Sequence, residues 1–227
     1  MTNKKEKCLA RIQESLAQLT TIKSAYAIQK DKQSVVLLHF VERAEQIATA
    51  CLLVDNLPTP LQILCRVLCE DFFLVYWICR SITAAEEYER GVEAEVAKMM
   101  GACISNGWGI LQNKHSKELV TNEFMETEFL PKLKTLKTPR TNIGQIAQKL
   151  GLLKVYDILY RGMSLELHGN TFGLPTPNGE GADYMALSAI DSVLDCFVLS
   201  VKLPRQPYDA HDILVRMRLI KLAKAPS

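Results

Sequence analysis

Net charge is almost absent from this sequence: 27 basic and 25 acidic side chains leave a formal charge of +2. No global field draws such a chain toward nucleic acid or an anionic membrane, so any anion site has to be local. Alternating apolar and polar runs of strand length are also missing, and no internal repeat is found. Long uninterrupted hydrophobic runs are lacking. The most apolar one, Leu61 to Cys79, is broken by Arg66, Glu70 and Asp71. A membrane span would have to bury all three, so a core helix is the better reading. The polar start, Met-Thr-Asn-Lys-Lys-Glu-Lys, is not followed by an apolar segment of signal-peptide form. A second pair of zinc ligands is missing as well. Cys65 and Cys69 lie one helical turn apart, but no other pair has metal-ligand spacing. The seven cysteines are an odd number, set mostly among apolar residues at helical spacing. That pattern suits buried thiols in a reducing cytoplasm. The expectation is a cytoplasmic chain with no metal, no cofactor and no membrane contact.

What the sequence does have is helical periodicity. Of its 227 residues, 48% are hydrophobic and 23% charged, the balance of an ordinary globular protein. Leu9, Ile12, Leu16, Leu19, Ile22 and Ala25 mark a helix over Lys7 to Gln29. Ser34 is placed to cap a second, carrying Val36, Phe40, Ala44, Ile47 and Cys51. The stretch Asn56-Leu-Pro-Thr-Pro60 breaks it, with Thr59 as cap and Pro60 as first residue of a third helix. That helix runs to about Thr83, is apolar on nearly every face, and is therefore expected at the centre of a bundle. Further helices are predicted over Glu86 to Ile104, Val120 to Leu130, Asn142 to Leu150, Leu153 to His168, Asp183 to Leu203 and Tyr208 to Lys224. Lys132 to Arg140 reads as a basic, proline-broken link, and Thr171 to Gly181 as a loop with two prolines and three glycines. The fold class expected is all-α, a multi-helix bundle forming one domain over residues 1–227, with a possible subdomain link near 132–140.

The chemistry concentrates in Tyr160-Arg-Gly-Met-Ser-Leu-Glu-Leu-His-Gly169. On an α-helix, Arg161, Ser164 and His168 fall at i, i+3 and i+7, on one face. An arginine fork grips a phosphate, and an imidazole moves a proton near neutral pH, so the trio suits a phosphodiester. The plainer reading pairs Arg161 with a core carboxylate and leaves His168 to cap the helix end. Arg66 and Glu70 stand one turn apart in an otherwise apolar helix. They can satisfy each other, and Glu70 can reach the Arg161/His168 face and orient a residue there; the two readings can hold together. His39, His115 and His211 belong to no motif. The glycines between Gly101 and Gly109 lack the order of a phosphate loop. The cations at Lys132, Lys134, Lys137 and Arg140 read as a solvated link or as contacts to a nucleic-acid backbone.

The segments Arg66-x-Leu-x-Glu70 and Tyr160-Arg-x-x-Ser-x-x-x-His-Gly169 resemble a bacterial family of uncharacterised helical proteins. The resemblance covers roughly the middle and C-terminal two-thirds of the chain. More widely, the chain resembles the HEPN superfamily of helical bundles, whose hallmark is an arginine, four to six residues and a histidine. Here six residues separate Arg161 from His168, and Gly162 stands where HEPN motifs usually carry a polar residue. The resemblance implies a metal-independent endoribonuclease of toxin–antitoxin or phage-defence type, working as a homodimer or with a protein partner on RNA. His168 would transfer protons, Arg161 would bind phosphate and Ser164 would assist. Arg66, Glu70 and Tyr160 would support them. The rival expectation is a non-catalytic helical interaction or sensor module.

Overall fold

The computed structural model describes residues 2–106, 112, 116, 118, 119, 127, 128, 131, 142–161, 182–202 and 209–217. Within them the chain is all-α and multi-helical, and the only strand-like feature is an isolated bridge between Gln112 and Leu119. The helices are α1 (Thr2–Ala27), α2 (Lys32–Leu53), α3 (Pro58–Arg80), α4 (Ile82–Ser105), α5 (Ile143–Lys149), α6 (Leu153–Val155), a π-helical segment (Tyr156–Arg161), α7 (Ala182–Lys202) and α8 (Ala210–Arg216). Two compact units result: Met1–Ala85 with Asn142–Ser227, and Glu86–Thr141. The expected link over 132–140 and loop over 171–181 lie outside the described residues. So does the expected helix over Val120 to Leu130, except Thr127 and Glu128.

In the first unit α3 is central. It packs against α7 and α2, and also receives α5 and the π segment, while α1 closes the bundle over α2 and α7. Its C-terminal half is buried almost all round, through Phe72, Phe73, Val75, Tyr76, Ile78 and Cys79. Its N-terminal half keeps Ile63 exposed, so the all-round apolar character reaches the core only in the second half. Residues 183–202 have the length and apolarity of a membrane span, but 61% of that stretch is buried within the bundle. Phe197, Leu194, Val193 and Ile190 turn that apolar surface into the core.

Helix ends differ from the sequence expectation for local reasons. The cap of α2 is Asp31, not Ser34: the Asp31 carboxylate accepts from the Ser34 amide at 3.0 Å and from the Ser34 hydroxyl at 2.6 Å. Helix α3 starts at Pro58, with Leu57 as a cap that makes no side-chain bond, rather than at Thr59–Pro60. Two prolines in the first turn have no N–H to satisfy, which leaves a capping hydroxyl less to do. The same helix stops at Arg80, where Ser81 turns extended, and the buried Gln33 amide donates to the Ile78 carbonyl at 2.7 Å. Helix α5 is capped by Asn142, whose side chain accepts from the Gly144 amide at 2.9 Å. It ends at Lys149 with Leu150 as its C-cap, and Gly151 just beyond has a φ of +72° in the left-handed region.

Candidate functional site

The two segments singled out in the sequence meet between α3 and the π segment. The Arg66 guanidinium lies over the Tyr160 ring, 5.3 Å from its centroid, and Nη2 donates to the Tyr160 hydroxyl at 3.4 Å. That bond is long, so the cation–π contact is the better part of the attraction. Tyr160 stacks in turn on Tyr156, with centroids 5.1 Å apart and planes 20° apart. Tyr156 leans on Phe73 of the core at 6.2 Å. A continuous file therefore runs from the core through two tyrosines to a half-buried arginine. The hydrogen bond to Tyr160 and the neighbouring charge of Glu70 hold the Arg66 guanidinium more firmly protonated than usual.

Gly144 allows this file to form. A Cβ on Gly144 would lie 3.2 Å from the end of the Tyr156 ring, so α5 approaches Tyr156 where a larger residue would push it away. A side chain on Gly151 would meet Ala210 at 3.2 Å, and its left-handed φ adds to the demand for glycine there. Neither glycine, nor the i, i+4 pair Tyr156 and Tyr160, was singled out by sequence pattern. The tyrosine spacing was the available signal.

Arg66 and Glu70 do not satisfy each other. No ion pair joins them among the described residues, and Arg66 Nε is buried without a hydrogen-bond partner there. Glu70 is half-buried, and its charge acts on both Arg66 and Asp71.

Arg161 closes the π segment and is 66% exposed. Its Nη1 lies 3.2 Å from Asp157 Oδ1, so its partner is an exposed carboxylate one turn back, not a core one. Of the helix expected over Leu153 to His168, Leu153–Val155 is α-helical and Tyr156–Arg161 is π-helical, and the remainder lies outside the described residues. Because a π turn closes at i→i+5, α-helical spacing does not fix which face Arg161 shares. Ser164 and His168 lie outside the described residues.

A further charged pair was missed as a site. Asp71 has a side chain 2% exposed, and its Oδ2 lies 3.1 Å from Arg43 Nε on α2. The two are close enough to attract but are not aligned as a hydrogen bond. Burial pushes the Asp71 carboxyl up to about 7, against the opposing pull of Arg43 and with the help of Glu70. The signal was an aspartate directly before Phe72-Phe73, which a helical wheel turns inward.

The cysteines are free, and all but Cys103 are buried. Burial pushes the thiols of Cys51, Cys79 and Cys196 up to about 12, which keeps them protonated. Among the described residues no group of three or more His, Cys, Asp or Glu side chains is arranged to hold a metal ion.

No curated protein and no solved structure matches the chain. A model described as a family of unknown function (DUF5677) matches residues 33–178. That stretch is more than half of the chain and contains both the Arg66–Glu70 segment and Tyr160–Gly169. The chain belongs to this family of uncharacterised function, DUF5677.

Proposed function

We propose that this protein is a HEPN-like, metal-independent endoribonuclease of the cytoplasm, a toxin or phage-defence effector that works as a homodimer. The observation that carries the reading is the placement of Arg161. It stands exposed at the end of a π-helical turn, seven positions before His168 in the Arg-x6-His spacing. Isolated π turns are frequent at functional sites. The file of Arg66, Tyr160, Tyr156 and Phe73 supports it by anchoring the residue next to Arg161 to the core. The buried thiols suit a reducing compartment.

In this mechanism the ribose 2′-oxygen attacks the adjacent phosphorus and the bond to the 5′-oxygen breaks. The products are a 2′,3′-cyclic phosphate and a 5′-hydroxyl end. His168 takes the 2′ proton or delivers one to the leaving oxygen. Arg161 leaves Asp157 to stabilise the charge of the phosphorane, and Ser164 adds a hydrogen bond. Exchanging Asp157 for a phosphate costs little, because an exposed i, i+4 pair is worth only about 0.3–0.5 kcal/mol.

The test is purified wild type, His168→Ala and Arg161→Lys incubated with total RNA and tRNA in the presence of a chelator. Loss of a proton-transfer group lowers cleavage by a factor of about 10²–10⁴. Arg161→Lys keeps the charge but loses the fork, and should cleave poorly. Equal products from wild type and His168→Ala refute the reading. A second reading, a non-catalytic interaction or sensor module, is favoured by the existing Arg161–Asp157 pair, which gives the arginine a structural partner.

A further inference from the structure

In the second unit, helix α4 leaves most of its large aliphatic residues exposed, with Ile104 half-buried. Val92, Val96, Met99 and Met100 are 43%, 44%, 61% and 43% exposed. The residues α4 buries in this unit are small: Ala94 and Gly101, which lie seven positions apart on the opposite side of the helix. An ordinary surface helix shows the reverse order, with large apolar residues inward and polar ones outward.

The exposed residues have a regular pattern. Val92, Val96 and Met99, continued by the half-buried Cys103, follow the alternating four- and three-residue steps of a coiled-coil seam, d-a-d-a. From Val92 to Cys103 the seam runs about 16 Å along the helix, at about 1.5 Å per residue. The positions that flank the first part of the seam are Glu93 and Glu95, both exposed. The cations of this part of α4, Arg90 and Lys98, lie away from the seam, and Lys98 approaches Glu95 only at 3.9 Å. In a pairwise seam, flanking residues choose the partner by charge.

We infer that this face of α4 docks a basic amphipathic helix of another protein, with apolar residues in its seam and Lys or Arg beside it. A second copy of α4 brings Val and Met to the seam but no flanking cation to meet Glu93 and Glu95. The methionine side chains suit a face that must adapt to a partner, being unbranched and polarisable. The docking is independent of the ribonuclease reading and uses none of its residues.

The probes are two synthetic helical peptides with identical leucine seams, one flanked by lysines and one by glutamates, titrated by fluorescence anisotropy against the full chain. The lysine-flanked peptide should bind and should weaken as salt is raised. Val96→Ser with Met99→Ser should weaken it by about tenfold or more, as should Glu93→Gln with Glu95→Gln, while circular dichroism shows each variant still helical. If a variant loses its helical spectrum, the single changes Met99→Ser and Glu93→Gln carry the comparison. Equal binding of both peptides, no binding of either, or indifference to the substitutions overturns the inference. Sedimentation that shows a dimer dissolved by Met99→Ser assigns the face to a second copy and overturns it as well.

Discussion

Asp71→Asn changes one carboxyl oxygen to an amide and leaves the shape of the core alone. In the fold the carboxyl sits at about 7, against an ordinary 3.8. Ionising it is therefore harder in the fold than in the unfolded chain by about 4 kcal/mol, at about 1.36 kcal/mol per pH unit. The direction follows from proton counting. Between the two values the folded chain holds a proton that the unfolded chain has released. Stability contributed by the protonated carboxyl is complete below about pH 4 and is lost as pH rises through about 7. The substituted amide cannot ionise, so this loss disappears. Arg43 loses its carboxylate partner, but it is 45% exposed and can turn to water. Above pH 7 the variant should be the more stable protein by about 2–4 kcal/mol, and near pH 4 the two should nearly coincide. Urea unfolding followed by circular dichroism from pH 4.5 to 8.5 measures the difference curve, in which the other titrating groups cancel. A difference that stays flat across this range, or that turns in favour of the wild type at high pH, refutes the reasoning.

Two further outcomes concern the candidate site and the thiols. Tyr160→Leu removes both the stack on Tyr156 and the contact with Arg66; it should cost about 1–2 kcal/mol in urea unfolding, whereas Tyr160→Phe keeps the stack and should cost under about 1 kcal/mol. A thiol reagent should modify Cys103 first in the native protein, with the six buried cysteines reacting only as the chain unfolds, which an absorbance time course with and without urea will show.

The helices were legible because their signals are local. Apolar residues three and four apart gave α1, α2, α3 and α7 within a few residues of their ends, and Asn142 was seen at the start of α5. The caps were less legible, because Asp31 and Ser34 are both good capping residues. Only the actual bond, from the Ser34 amide to the Asp31 carboxylate, separates them. The π turn at Tyr156–Arg161 could not be read from periodicity. It stands where Tyr156 and Tyr160 stack and where Arg66 arrives from α3, so it depends on residues far away in sequence. The same holds for Arg66 itself. Spacing offered Glu70 as its partner, but Arg66 lies over a ring 94 positions along the chain.

Glu70 joins the two halves of this arrangement and can be tested through either. Its charge raises the Asp71 carboxyl on the core side and steadies the Arg66 guanidinium on the other. Glu70→Gln removes a like charge beside Asp71, so Asp71 ionises at lower pH. The decline in stability begins where the unfolded carboxyl ionises and ends where the folded one does, so it must then end at lower pH, and the variant should be more stable than wild type near neutrality. The same substitution takes an attractive charge from Arg66. If that charge helps hold the guanidinium over Tyr160, amide exchange over 156–161 should quicken at a pH where Asp71 is ionised in both proteins. The two readouts separate the two roles. A stability midpoint that stays put or rises shows that Glu70 does not act on Asp71. Unchanged exchange with a lowered midpoint leaves Arg66 held by Tyr160 alone and confines the influence of Glu70 to the core.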